Sequence, residues 1–456
     1  MGQRAAIGVY GLGVMGRNIA LQLAEKGVPV AAFDPWPDAR AHADGLSVVP
    51  SARDFVAALE PPGAVLLMVK AGAPVDDAIA ALAPLLPNGA LIADGGNSHF
   101  RDSERRGAAL AQRGLDFLGI GISGGETGAR HGASIMAGGA RAAFERLAPM
   151  LERLAARAGD ALCLAHLGPG GAGHFAKMVH NGLEYAEMQL IAEGVLLLRE
   201  LHGLDWPHVA AAVADWNQGR GASYLLEITS DLLPARDRLS GAPLIEIVAD
   251  RAEQKGTGQW GAVAALELGI PVPTLVAAVE ARALSAVREA PAPAPKSSAP
   301  GTPPSPAEIG AALLAAKIAV YDQGLALLKA ASTEYRWGMD LARLAEIWRA
   351  GCIIRGALLE PIAAALRAAP APPRLLAAPW FHIQVAERLA AWRSVVMAGL
   401  GRGIPVPALA SALTYYDGLH AERVGASLIQ LQRDTFGAHG FERVDRPGRF
   451  HIERGS

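Results

Sequence analysis

The first 170 residues alternate short apolar runs with mixed polar and apolar stretches. Five of the runs have the length of buried strands: residues 5–10, Val28–Phe33, Ala64–Val69, Ala90–Ala93 and Phe117–Ile122. Strands that alternate with helical patterns are typical of an open parallel sheet covered by helices. The pattern therefore predicts an α/β domain over residues 1–173.

The alternation stops after the glycine-rich residues 168–171, and the following sequence is rich in Ala and Leu with helical periodicity. Gly203 predicts the end of one helix, while Asp205 and Pro207 predict the start of the next. We expect an all-helical domain over residues 174–430, followed by a C-terminal tail over residues 431–456.

An internal sequence repeat indicates that the helical region contains two copies of one unit. In the first copy Lys177 is followed by Trp216 and then by GIPVP at 269–273. In the second, Lys317 is followed by Trp348 and then by GIPVP at 403–407. The predicted copies span 174–289 and 309–430, and the Pro/Ala-rich residues 290–308 form a surface loop between them.

Composition sets the broad class of the protein. The chain has 456 residues, of which 51% are hydrophobic, and a formal net charge of −2. This balance gives no sign of a nucleic-acid partner, and the apolar stretches are interrupted by Gly, Pro or charge, so that no membrane partner is expected. The two cysteines, Cys163 and Cys352, form no metal-ligand pattern and fit a reducing compartment, so we expect a cytoplasmic protein.

A glycine-rich turn follows the first strand directly. Residues 11–16 read GLGVMG, in which Gly11 permits a tight turn, Gly13 lets the backbone approach a pyrophosphate and Gly16 allows close helix packing. The second predicted strand ends in Asp34, where a carboxylate can bind ribose hydroxyls. This strand–turn–helix context predicts a dinucleotide site.

Three further strands end in loops that carry polar or glycine residues. These loops are residues 70–72 (KAG), 94–98 (DGGNS) and 123–126 (SGGE). Each alone could be a plain turn, but the ligand crevice of an open parallel sheet lies beyond the carboxyl ends of its strands. Their succession therefore favours an active site.

Within residues 174–189 (HFAKMVHNGLEYAEMQ), Lys177, His180, Asn181 and Glu184 lie three or four positions apart and share one helix face. A solvated helix surface would give the same spacing. Beside a dinucleotide fingerprint, however, an amine, an imidazole, an amide and a carboxylate suit a small polar substrate. In the second copy the matching positions read Lys317, Val320, Tyr321 and Gly324, so one copy would carry chemistry and the other would be structural.

Seven sequence motifs, in this order along the chain, resemble those of the decarboxylating 6-phosphogluconate dehydrogenases. The motifs are GLGVMGRN, VKAG, DGGNS, SGGETGAR, GHFAKMVHNGLEY, KGTGQW and QRDTFGAHGFE. The resemblance implies a Rossmann-type domain, a large all-α domain with two repeats, and a tail that reaches the partner in a homodimer. It also implies oxidation and decarboxylation of 6-phosphogluconate to ribulose 5-phosphate in the pentose phosphate pathway, without a metal.

The resemblance also implies roles for individual residues. Lys177 would be the general base at the C3 hydroxyl, and Glu184 would be the acid that protonates C1 of the enediol. The implied substrate-binding residues are Asn97, Ser123, Gly124, Gly125, His180, Asn181, Tyr185, Lys255, Arg282, Arg433 and His439, the last two from the neighbouring subunit. The implied cofactor-binding residues are Gly11, Leu12, Gly13, Val14, Met15, Gly16, Asp34, Pro35, Trp36, Val69, Lys70, Ala71 and Asn97.

One departure from the family pattern concerns the cofactor. Many members carry Asn-Arg-Thr where this chain reads Asp34-Pro35-Trp36, and their Arg pairs with the 2′-phosphate of NADP. Asp34 would repel that phosphate and bind the ribose of NAD, although Arg40 is a nearby cation. We expect a preference for NAD, or at least relaxed specificity that also admits NADP.

Two other functions remain open from the sequence. A β-hydroxyacid dehydrogenase of the 3-hydroxyisobutyrate type shares the glycine loop and a Lys–Asn helix, but usually has one helical unit and no phosphate site. A non-catalytic dinucleotide-binding sensor would need neither Lys177 nor Glu184.

Overall fold

The computed structural model of the chain describes residues 3–254, 256–288 and 301–452. Lys255 and residues 290–300 of the predicted Pro/Ala-rich loop lie outside these ranges.

The first region contains a seven-stranded sheet in the order β2-β1-β3-β4-β5-β6-β9, with every pair parallel except β5 and β6. Its strands are β1 Ile7–Tyr10, β2 Val30–Phe33, β3 Ala64–Leu67, β4 Leu91–Asp94, β5 Asp116–Ser123, β6 Ser134–Gly139 and β9 Leu164–His166, and a separate hairpin is formed by β7 Arg157–Ala158 and β8 Ala161–Leu162. The predicted Rossmann-type sheet is confirmed, with all five predicted strands present. The antiparallel strand β6 and the edge strand β9 were not predicted.

Helices cover both faces of this sheet. They are α1 Val14–Glu25, α2 Pro37–Ala41, α3 Ala52–Ala58, α4 Ala73–Leu82, α5 Phe100–Ala111, α6 Gly125–His131 and α7 Arg141–Leu154. One hydrophobic core lies under α1, α6 and α7, and a second lies under α3, α4 and α5. Since both faces are covered, the loops at the carboxyl ends of the strands form the accessible edge.

The second region is helical, as predicted, and its core is continuous. Its helices are α8 Ala172–His202, α9 Trp206–Trp216, α10 Tyr224–Leu232, α11 Leu244–Ile247, α12 Thr257–Glu267, α13 Pro273–Val287, α14 Pro306–Glu334, α15 Leu341–Ile347, α16 Leu359–Arg367, α17 Pro379–Ala386, α18 Leu389–Gly401 and α19 Pro407–His420. Gly203 ends α8 in the left-handed conformation, and the Asp205 side chain caps α9 by accepting from the His208 amide.

The two GIPVP segments have the same local structure. Val272 and Val406 precede α13 and α19 with nearly identical backbone angles, φ −130° and ψ 53° against φ −133° and ψ 52°. Each following helix begins at the final proline of its segment. This local match supports the predicted duplication.

Each of these helices is capped by the long helix of the other copy. Gln323 of α14 accepts a hydrogen bond from the Thr274 amide at 2.9 Å, and Glu193 of α8 accepts from the Ala408 and Leu409 amides at 2.7 and 2.8 Å. The reciprocal contacts make Glu193 and Gln323 equivalent. The sequence-based pairing of Lys177 with Lys317 was therefore wrong in register, because the equivalent of Lys317 is Glu187.

The second copy begins earlier than predicted. Ser305 caps α14 and forms a capping box with Glu308, so the helix starts at Pro306, inside the predicted loop. By length and composition alone α14 could cross a membrane, but 83% of its most apolar window is buried in the fold. It is the central helix of a protein core.

The tail comprises α20 Ala426–Gly437 and a short antiparallel pair, β10 Phe441–Glu442 and β11 Arg449–Phe450. The predicted boundary at residue 431 lies inside α20, so the tail begins after α19 ends at His420. Asp434 holds the tail together by accepting from the Gly440 and Ile452 amides, both at 2.7 Å.

Candidate active site

The glycine-rich turn joins β1 to α1 in the geometry that close packing demands. Gly11 has φ +99°, which favours glycine, and a Cβ there would lie 2.6 Å from the Met68 carbonyl oxygen. A Cβ at Gly16 would lie 1.9 Å from the Gly11 carbonyl oxygen, whereas at Gly13, which caps α1, it would meet nothing within 4 Å. The N-terminus of α1, with Val14 and Met15, is thus open to an anionic group.

Asp34 braces this turn. Its side chain is buried, and its two carboxylate oxygens accept from the Leu12 amide at 2.7 Å and the Trp36 amide at 2.9 Å. Pro35 and Trp36 are exposed beside it. The Arg40 guanidinium donates to the Asp34 carbonyl oxygen at 2.7 Å, so a cation lies close to the predicted ribose position.

The loops after β3 and β4 lie against the glycine turn. A Cβ at Gly11 would be 2.9 Å from the Val69 side chain, and a Cβ at Gly96 would be 2.9 Å from the Val69 carbonyl oxygen. Lys70 and Asn97 are exposed on these loops, and Ala71 is half-buried. The structure therefore brings the predicted cofactor residues to one edge of the sheet.

A buried ion pair that the sequence reading missed holds the Asn97 loop. Asp94 accepts from the Gly96 amide at 3.0 Å and from the Ser98 hydroxyl at 2.6 Å, and Arg106 lies 3.4 Å from its carboxylate. Arg106 also pairs with Asp76 at 2.9 Å, which joins α5 to α4. No pattern in the sequence distinguishes Arg106 from the exposed Arg105 beside it.

The predicted face of α8 lies against β5. Lys177, His180 and Asn181 are buried, and the Glu184 side chain is 21% exposed. A Cβ at Gly121 would lie 2.4 Å from the Lys177 Cβ, so glycine in β5 allows the close approach of α8. The solvated-surface alternative for this face is therefore wrong.

A hydrogen-bonded chain links this face to the last residue of β5, Ser123. Ser123 Oγ lies 3.1 Å from His180 Nε2, and His180 Nδ1 lies 3.3 Å from the Asn181 side-chain oxygen and 3.8 Å from the Glu184 carboxylate. The Lys177 amine makes no hydrogen bond to the described part of the chain. A buried amine without a protein partner has donor and acceptor capacity for a ligand.

Burial sets the protonation of these groups. It lowers the pKa of Lys177, although Glu184 and Cys352 nearby act in the opposite direction. Burial and the charge of Lys177 hold the pKa of His180 well below its ordinary value, so this imidazole is neutral. Burial raises the pKa of Glu184 against the opposing charges of Lys177 and Arg282. Together these shifts favour a neutral amine and a protonated carboxyl.

The second helical copy forms the back of the site. Gly124 has φ +134°, and a Cβ there would lie 2.5 Å from the Gly351 carbonyl oxygen. Gly125 follows at φ +59°. The Trp348 ring packs edge-on against His180, with ring centroids 5.6 Å apart.

Two predicted phosphate ligands lie at the far end of the face. The Arg282 guanidinium stacks on Tyr185, 3.4 Å from the ring centroid, and donates to the Glu253 carbonyl oxygen at 3.2 Å. The third, Lys255, lies outside the described residues. Arg282 thus fixes the segment that leads towards Lys255.

The two predicted tail ligands, Arg433 and His439, are exposed, and their contacts run within the tail. Arg433 donates to Gln430 at 3.2 Å, and the His439 ring packs against Phe436. The single chain does not bring them to the Lys177 face. Among the described residues no group of three or more His, Cys, Asp or Glu side chains could hold a metal ion.

Comparison with known proteins covers both regions. Residues 6–168 match the family described as the NAD binding domain of 6-phosphogluconate dehydrogenase, and residues 173–454 match the C-terminal domain of 6-phosphogluconate dehydrogenase. The chain is 44% identical to the NAD(+)-dependent, decarboxylating 6-phosphogluconate dehydrogenase of Bacillus subtilis and 41% identical to the NADP(+)-dependent enzyme of the same organism, with 98% of each chain covered.

The fold also matches a solved structure along its whole length. The 6-phosphogluconate dehydrogenase of Plasmodium falciparum, determined in its apo form, with its cofactor NADP+ and with its substrate 6-phosphogluconate, superposes with a TM-score of 0.90 at 34% identity. The match covers 98% of this chain and 99% of the other. This full-length agreement includes both helical copies, which the 3-hydroxyisobutyrate alternative does not explain. The chain belongs to the family of NAD(P)-dependent, decarboxylating 6-phosphogluconate dehydrogenases.

Proposed function

We propose that Lys177 is the general base and Glu184 the general acid of the oxidative decarboxylation of 6-phosphogluconate. The observation that carries this assignment is that Lys177 is buried on the same helix face as Glu184 and that its amine makes no hydrogen bond to the described residues. Burial lowers the pKa of Lys177 and raises that of Glu184. A base must be deprotonated and an acid protonated at the start of the reaction.

Lys177 takes the proton of the C3 hydroxyl as the C3 hydrogen leaves as hydride, which gives a 3-keto acid. The bound dinucleotide supplies the acceptor for that hydride. The protonated Lys177 then donates to the new carbonyl oxygen, so that the electron pair released with CO2 is stabilised as an enediol. Glu184 then delivers its proton to C1 of the enediol while the neighbouring enediol hydroxyl returns its proton to Lys177, which yields ribulose 5-phosphate.

The substrate is proposed to bind at the carboxyl edge of the sheet, next to the α8 face. Asn97, Ser123, Gly124, Gly125, His180 and Asn181 are proposed to hold the carboxylate and hydroxyls, and Tyr185, Lys255 and Arg282 to hold the phosphate. The neutral imidazole of His180, oriented by Ser123, can both donate and accept. A guanidinium such as that of Arg282 binds a phosphate dianion by charge-assisted hydrogen bonds.

We further propose that NAD is preferred over NADP. The glycine turn fits a pyrophosphate, since Gly13 is open and α1 begins there. The Asp34 carboxylate uses one lone pair on each oxygen for Leu12 and Trp36, so it retains acceptor capacity for ribose hydroxyls and repels a 2′-phosphate. Arg40 supplies the opposing charge, which would leave some activity with NADP.

Initial rates with 6-phosphogluconate and equal, subsaturating NAD or NADP test the cofactor choice, without added metal. We expect faster reduction of NAD together with release of CO2. Arg40→Ala should lower the rate with NADP more than the rate with NAD. A clear preference of the wild type for NADP would contradict the role given to Asp34.

We also propose a cytoplasmic homodimer in which Arg433 and His439 complete the site of the partner subunit. The tail helix α20 exposes Leu428, Ile429 and Phe436 by 61%, 58% and 76%. A groove of about 1500 Å³ that includes Arg282 in its lining lies on the helical region. Exposed apolar surface of this kind marks a site of protein association. The free thiols of Cys163 and Cys352 fit a reducing compartment.

Subunit mixing tests the shared site. Lys177→Met and Arg433→Ala chains are each expected to be inactive, but a mixed dimer would contain one site with an intact Lys177 and an intact Arg433. Random reassociation should restore about a quarter of the wild-type activity per chain. If the mixture stays inactive although mixed dimers form, Arg433 acts within its own chain or not at all.

A further inference from the structure

A buried ion pair joins the two helical copies one turn beyond Glu184. Lys317 Nζ of α14 lies 2.8 Å from the Glu187 carboxylate of α8, and both side chains are at least nine-tenths buried. The Tyr321 hydroxyl donates to the other carboxylate oxygen at 2.7 Å and lies 3.3 Å from the Ile354 carbonyl oxygen. Glu187 is thus held by two groups of the second copy.

We propose that Glu187, fixed by Lys317 and Tyr321, is a positioning residue that keeps Glu184 in its acid form until C1 is protonated. The proposal rests on the role proposed above for Glu184. It assigns the second copy a part in the reaction, although that copy carries none of the proposed catalytic side chains.

The position of Glu187 on α8 supports this role. Glu187 follows Glu184 by three residues on α8, and residues three apart on a helix are neighbours on its surface. Like charges close together disfavour a second ionisation, and the negative charge of Glu187 adds to burial in raising the pKa of Glu184. Lys317 and Tyr321 of α14 each contact one of the two carboxylate oxygens, so the Glu187 side chain is fixed in the contact between α8 and α14.

The other charges around Glu184 act against its acid form. Within the described residues, these charges are Lys177 on α8 and Arg282 on α13, while the neutral His180 ring lies 3.8 Å from the Glu184 carboxylate. The effect of Lys177 in lowering the pKa of Glu184 grows during the reaction, because Lys177 becomes a cation when it takes the proton of the C3 hydroxyl. A fixed anion beside Glu184 offsets this cation at the stage when the proton must still be on Glu184.

The expected signature is a shift of the alkaline limb of the kcat–pH profile. Activity requires protonated Glu184 and is lost as pH rises through the pKa of this group. Glu187→Gln removes the neighbouring anion, so we expect the limb to move to lower pH by about one unit, with KM for 6-phosphogluconate little changed. The double variant Glu187→Gln/Lys317→Met, which leaves no unpaired buried cation, should move the limb in the same direction by a smaller amount, because the Lys317 cation is removed together with the anion.

Glu193→Gln is the matched control. It makes the same change at a buried position of α8, where the carboxylate caps α19 and does not face Glu184. Its limb should coincide with that of the wild type. Thermal unfolding of each variant establishes that the measured enzyme is folded.

The results separate this proposal from its premise. An unmoved limb in both Glu187 variants, when both are folded, overturns the positioning role and leaves Glu184 as the acid. Rescue of activity in the double variant with an unmoved limb means that the pair serves stability alone, which also overturns it. Near-native turnover in Glu184→Gln would instead refute the role of Glu184 itself.

Discussion

The two long helices α8 and α14 are both buried and both carry polar side chains, but these side chains differ in what they contact. On α14, Lys317 pairs with Glu187, Asp322 accepts from the Tyr415 hydroxyl at 2.6 Å, and Gln323 caps α13. On α8, neither the Lys177 amine nor the Glu184 carboxylate makes a hydrogen bond to the described part of the chain, and the His180 ring lies 3.8 Å from Glu184. A buried polar group that is satisfied by protein is structural, whereas one left with free capacity is a candidate for chemistry.

The largest predicted difference comes from replacing Lys by Met once on each helix, at Lys177 of α8 and at Lys317 of α14. Lys177→Met should lower kcat by about a thousandfold or more, because base and carbonyl donor are both lost. It should leave thermal stability close to that of the wild type, since it replaces a desolvated amine by an apolar side chain of similar size. Steady-state kinetics and thermal unfolding measure the two effects.

Lys317→Met should behave in the opposite way. It leaves the Glu187 carboxylate buried without its cation, which costs about 3 kcal/mol of the free energy of unfolding. At the pH optimum kcat should stay within about tenfold of the wild type, because Lys317 does not touch the substrate. Equal losses of turnover in the two Met variants would erase the distinction between the helices.

A smaller effect separates two serines that face each other across the sheet. Ser123 of β5 pairs in register with Ser134 of β6, but Ser123 binds His180 of the first copy, while Ser134 donates to the Ile347 carbonyl oxygen of the second at 2.7 Å. Ser123→Ala should lower kcat/KM about tenfold to a hundredfold, because the His180 ring loses its orienting partner.

Ser134→Ala should instead lower the free energy of unfolding by about 1–3 kcal/mol and leave kcat/KM nearly unchanged, since it strands a buried carbonyl oxygen. Chemical denaturation and steady-state kinetics on both variants check this pair. A loss of kcat/KM in Ser134→Ala as large as that in Ser123→Ala would contradict the assignment of a catalytic role to Ser123 and a stabilising role to Ser134.

The last effect appears only in the pH dependence of stability and concerns the equivalent caps Glu193 and Gln323, one ionisable and one not. Burial raises the pKa of Glu193 to about 7, so its contribution to stability is fully present below the unfolded value of 4.5 and is lost as pH rises through 7. Relative to Glu193→Gln, the wild type should lose up to about 3 kcal/mol of the free energy of unfolding between pH 4.5 and 8. Parallel stability curves for the two proteins would contradict the shift.

Sequence reasoning placed the strands, the glycine turn and the Lys177 face because each has a local signature: a short apolar run, a fixed glycine spacing, or a three-and-four spacing on a helix. It missed β6, β9 and Arg106, whose positions depend on pairing with distant segments. It also aligned the second copy with the first in the wrong register, because the alignment relied on shared Lys and Trp residues. Glu193 and Gln323 differ in residue type, and their equivalence follows only from their reciprocal contacts.

The exchanged caps have a consequence for how the helical region folds. Since the amides that start α13 are satisfied by α14, and those that start α19 by α8, neither half can complete its own helix ends without the other. We therefore expect the duplicated halves to unfold as one cooperative unit, in a single transition, and a half expressed alone not to persist as a domain.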